Sequence, residues 1–134
     1  MKIIDVEGIG AANAAKLEAA GVATTEDLLS TGGSARGREV LAAATGISAK
    51  QLLEWVNHAD LMRLDGVGSE YADLLEAAGV DSPAELANRN AANLATTFQE
   101  VVAARPSLVR RIPSEETVAG WIAQAKGLDT AVTH

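Results

Sequence analysis

Small apolar residues recur along this chain in stretches spaced for helices, and glycines or helix-capping residues interrupt them at short intervals. The pattern predicts eight short helices, near residues 11–20, 25–31, 35–45, 48–62, 69–78, 82–89, 91–104 and 114–126. Start signals are explicit at Ser48, with Gln51 three residues on, and at Ser82, where Pro83 takes the first helical position and Glu85 stands where a capping box needs it. Gly21 and Gly79, each followed by Val, and Gly46 before Ile47 read as left-handed residues just past helix ends. Ala and Leu dominate the apolar set and aromatics make up 3%, which suits close helix packing through small side chains and leaves essentially no sheet. The expected fold class is all-α.

The pattern occurs twice. Residues 6–30 set against 64–88 give 10 identities in 25 positions, among them Gly8/Gly66, Gly10/Gly68, Leu17/Leu75, Gly21/Gly79 and Val22/Val80. Further on the offset grows from 58 to 66, pairing Ser48 with Ser114 and Trp55 with Trp121, so the second copy holds about eight extra residues, placed near "AARPSLVRR". The expected division is a first copy over 1–62 and a second over 63–134, with the helix at 48–62 leading into the second repeat. Trp55 and Trp121 are expected to anchor the core of their own copy.

In "EGIG" and "DGVG" two glycines flank one apolar residue, Ile9 or Val67, which is placed to pin a tight turn to the core. Residues 6–22 and 64–80 resemble the helix-hairpin-helix motif, in which such a turn joins two helices and presents free N–H groups at the start of the second. As two such double units, the chain resembles the bacterial family catalogued as domain of unknown function 4332. That resemblance implies a tandem helix-hairpin-helix fold of the SAM-like, five-helix type, and it supplies no activity. In DNA-binding members of the class the hairpin grips backbone phosphates, which makes Gly8, Ile9, Gly10, Gly66, Val67 and Gly68 candidate phosphate contacts.

Charge opposes that role. The formal net charge is −7, with 5 basic and 8 acidic side chains in residues 1–62, and 6 and 10 in residues 63–134. The basic residue expected just after the second glycine is absent from both turns, and residues 63–85 alone sum to −5. The turn with the most suitable chemistry is "GGSARGR", where Gly32, Gly33 and Ser34 offer donors and Arg36 and Arg38 offer charge. Arg105, Arg110 and Arg111 form a second basic cluster, and Tyr71, in the place of Asn13, is a candidate partner contact with them.

No catalytic set assembles. His58 and His134 are far apart, cysteine is absent, and the acidic run over 65–76 lacks the regular oxygen spacing of a calcium loop. The expectation is therefore no enzyme, no cofactor and no metal. No stretch is apolar enough for a bilayer, and a cytoplasmic location follows as an expectation. The leading functional reading is a noncatalytic protein-interaction or scaffold module with a protein partner. The alternative is weak, sequence-independent binding of a nucleic-acid backbone through the hairpins.

Overall fold

The computed structural model describes all 134 residues and is all-α. A 3-10 turn at Ile3–Asp5 precedes α1 (Gly10–Ala19), α2 (Thr25–Gly32), α3 (Ala35–Thr45), α4 (Ala49–Leu61), α5 (Ser69–Ala77), α6 (Pro83–Ala87), α7 (Ala91–Ala104) and α8 (Glu115–Ala125). Extended pairing is limited to one bridge between Lys2 and Thr24. No helix is long and apolar enough to cross a membrane.

Side-chain caps set most of the helix starts. Thr24 accepts from the Asp27 N–H while the Asp27 carboxylate accepts from the N–H groups of Ala23 and Thr24, a complete capping box that opens α2. Those main-chain donors, Ala23 first, hold the Asp27 carboxyl below the usual aspartate range. Ser34, Ser48, Ser82, Asn90 and Ser114 cap α3, α4, α6, α7 and α8, each side chain accepting from the N–H three residues on. At Ser82 only half of the expected box forms, because the Glu85 carboxylate accepts from Arg89 at 3.1 Å instead of turning back to the cap.

The chain divides into two compact units, Met1–Asp60 with Thr130–His134, and Leu61–Asp129. In the first, Ile9 from the glycine turn, Ala14 and Leu17 of α1, Val22, Leu28 of α2, Leu41 of α3 and Trp55 of α4 close one apolar core. In the second, Val67, Ala72, Leu75, Val80, Leu86 and Trp121 take the corresponding positions, joined by Leu94, Phe98 and Val118. Burying each such side chain contributes about 1.5–3 kcal/mol, so these matched sets are the main stabilising term in each unit.

The extra residues of the second copy lie near "AARPSLVRR", as the shift in offset implies, and one segment falls outside the sequence-based division. The connection between the third and fourth helices is residues 46–48 in the first repeat and 105–114 in the second, so the extra residues form a loop, pinned by buried Val109. Residues 130–134, expected in the second copy, belong to the first unit. There Val132 packs on the core and the Thr133 N–H donates to the Gly33 carbonyl at 2.8 Å.

Gly120 lies in the interior of α8, exposed, with nothing within 4 Å of where a Cβ would sit. Glycine there costs backbone entropy and gives no packing in return. Gly120→Ala is expected to stabilise the second unit by about 0.5–1 kcal/mol, read as a raised denaturation midpoint in urea with an unchanged slope.

Candidate functional site

The two glycine turns start alike and end differently. Gly8 and Gly66 both hold φ +88°, the left-handed region open to glycine, while Ile9 and Val67 point into their cores. Gly10 is also left-handed at φ +77°, whereas Gly68 sits at φ −91°, ψ −172°, extended backbone that any residue adopts. Gly68 thus differs in backbone from Gly10, its partner in the repeat. The consequence is an asymmetry in tolerance: Gly10→Val is expected to cost about 1–2 kcal/mol or more, while Gly68→Val, with open space around it, stays within about 1 kcal/mol of the parent, as thermal melts of the two variants would show.

At the first turn, α1 begins with Gly10, Ala11 and Ala12, all exposed, and has no acidic residue in its first turn and no side-chain cap. The Asn13 amide donates back to the Ile9 carbonyl at 3.1 Å. No acidic side chain in the first turn of α1 offsets the partial positive charge at this helix start, and no basic side chain there reinforces it, the only one on α1 being Lys16 in the last turn.

The second turn is tied to its own unit. The Gln124 side-chain amide accepts from Asp65 N–H at 2.9 Å and donates to Asp65 C=O at 3.3 Å. The Trp121 indole nitrogen lies 3.3 Å from where a Gly66 side chain would start. Just beyond, Glu70 in the first turn of α5 accepts from the main-chain N–H of Arg110, and the Tyr71 hydroxyl donates to the Arg111 carbonyl at 3.1 Å. The Tyr71 ring stands 5.3 Å from that of Trp121 at 54°. The structure thus brings Tyr71, Arg110 and Arg111 together, but through main-chain atoms, with both arginine side chains turned to solvent. Arg105 sits apart at the end of α7. Tyr71, half buried, uses its ring and hydroxyl inside the unit, so packing accounts for it.

The basic glycine turn is the largest correction. Gly32 ends α2 and Gly33 follows in helical conformation, so this corner faces its neighbours with carbonyls. Arg38, only 5% exposed, is turned inward onto them: its Nη1 donates to Gly32 C=O at 2.9 Å and Gly33 C=O at 3.0 Å, and its Nη2 to Thr133 C=O at 2.6 Å. Ser34 is committed to capping, accepting from the Gly37 N–H at 3.0 Å. Of the five candidates in this turn only Arg36 remains exposed with its charge available. A guanidinium that donates to three carbonyls in a buried corner is a structural brace.

A concave feature lies in the second unit. An open groove of about 570 Å³ runs between Ala92, Ala95, Thr96 and Gln99 on α7 and Ile112, Pro113, Ser114 and Glu115. Its walls are small, mostly uncharged side chains, and Ile112 is 37% exposed beside it. The sequence reading missed this groove because it depends on how the extra loop folds back on α7. Glu115 is the lone ionisable group in the lining, which supplies no nucleophile, base and orienter.

No curated protein and no solved structure matches the chain. A family model, described as "Domain of unknown function (DUF4332)", matches residues 7–128, from the first glycine turn to just past α8. The chain belongs to that family.

Proposed function

We propose that this protein is a noncatalytic scaffold module built from tandem helix-hairpin-helix units, whose partner is another protein. The observation that carries the reading is Arg38: at the one glycine turn with basic residues, the arginine best placed to hold phosphate is buried on carbonyls. The second glycine turn supports it, since Gln124 satisfies both main-chain polar groups of Asp65 and the sequence that follows is rich in acidic residues. A net charge of −7 adds repulsion toward any polyanion.

A second reading, weak binding of a nucleic-acid backbone, is favoured by the first turn alone, where uncharged Gly10, Ala11 and Ala12 stand exposed at a helix start. Anisotropy titrations with labelled duplex DNA, single-stranded DNA and RNA at low salt separate the two. No binding is expected. Binding that weakens with salt and disappears when Arg36, Arg105, Arg110 and Arg111 are replaced by alanine would overturn the scaffold reading. On the protein side, affinity capture from the native host is expected to retain a protein partner.

A further inference from the structure

The corner between α2 and α3 is built to hold a peptide main chain. Thr133 is engaged at both of its backbone polar groups, its N–H donating to Gly33 C=O at 2.8 Å and its C=O accepting from Arg38 Nη2 at 2.6 Å. Its side chain points to solvent. Val132 is half buried against the core of the first unit, and the Ala131 carbonyl runs 2.5 Å from the point where a Gly33 Cβ would be. Glycine at 33 is therefore what lets the segment approach. Thr133 is gripped through its backbone, Val132 is held through its side chain, and Ala131 passes close over Gly33.

Arg38 shows that this grip exceeds what the fold needs. It stands four residues after the cap of α3, Ser34, and in the second unit the residue four after the cap of α7, Asn90, is Leu94, also buried. Leucine is enough to complete a core at that position. Arginine in its place leaves a buried cation that satisfies two carbonyls of its own corner and needs a third from an extended segment. Residues 131–133 help to bury Arg38, so if they leave, Nη2 exchanges a carbonyl for water, and a second segment offering a carbonyl at the same place restores the bond.

We propose that this corner is a receptor for an extended peptide, that residues 131–133 are its occupant in cis, and that a partner protein enters by offering a segment of the same kind. The ligand class is a peptide segment with a β-branched apolar residue followed by one residue whose N–H and C=O are both read. This inference rests on the reading that the partner is a protein.

The test uses the full chain carrying Val132→Asp and Thr133→Pro, which removes the apolar anchor and the donated N–H. The probe is a synthetic peptide of residues 129–134, followed by NMR of the labelled chain. The undocked variant is expected to bind it with shifts centred on the Gly33 amide and the Arg38 side chain. The parent chain, whose own segment competes intramolecularly, is expected to bind on the order of ten-fold more weakly or worse. A peptide with proline at position 133 is expected not to bind. Absence of shifts in a variant that keeps its helical signal would overturn the proposal. So would loss of cooperative folding in that variant, since residues 131–133 would then be an inseparable part of the unit. Nucleic-acid binding with peptide binding intact would remove the protein-partner reading and leave the receptor itself standing.

Discussion

Gly37→Ala is expected to lower the melting temperature of the first unit by on the order of 10 °C in a calorimetric scan, although alanine is the better helix former. Gly37 lies in the first turn of α3, where its N–H donates to the capping Ser34 hydroxyl. A Cβ added there would start 2.0 Å from the Thr31 carbonyl oxygen and 3.1 Å from Ser34 Oγ. Helix propensity favours the substitution by about 1 kcal/mol, but a contact that short with main chain cannot be relieved by a rotamer change. The corner must open, at a cost of about 2–4 kcal/mol, and the steric term wins. Gly120→Ala is the control, since the same exchange in open space leaves the propensity gain unopposed.

Arg38→Ala is expected to cost about 3 kcal/mol, read from denaturant midpoints, while Arg36→Ala two residues away stays within about 0.5 kcal/mol. Removing the guanidinium takes the donor from Gly32 and Thr133 carbonyls and leaves Gly33 C=O with the Thr133 N–H alone. It also opens a void in a nearly water-free site. Hydrogen exchange at the Thr133 amide should quicken in step, because half of what holds that residue has gone. Arg38→Leu is expected to fall between the parent and Arg38→Ala, since Leu94 fills the matching position of the second unit with apolar contacts only.

The helices were legible because their signals are local. A cap acts on an N–H three residues away, and Ser48 and Ser82, the two starts explicit in the sequence, each find that partner in the structure. The matched cores were legible for a related reason: a duplicated spacing puts Ala14 and Ala72, or Leu17 and Leu75, on the same face of equivalent helices. The candidate site was much less so. "GGSARGR" looks the same whether its arginines face water or carbonyls, and the deciding contact for Arg38 comes from Thr133, 95 residues on. Gln124 meets Asp65 across 59 residues and Glu70 meets Arg110 across 40, so neither lock on the second turn leaves a trace in local pattern. Gly68 shows the limit of the repeat itself, since an identical residue in an equivalent place adopts a different backbone.

Each unit also contains one indole, Trp55 in the first and Trp121 in the second, and the ring of the chain's single tyrosine lies 5.3 Å from the latter. A Trp55→Phe chain would retain one emitter, with its own light-harvesting phenol beside it. Quenching and red shift of that emission would then follow the melting of residues 61–129 separately, giving an optical window on one half of a duplicated protein while the other half stays dark.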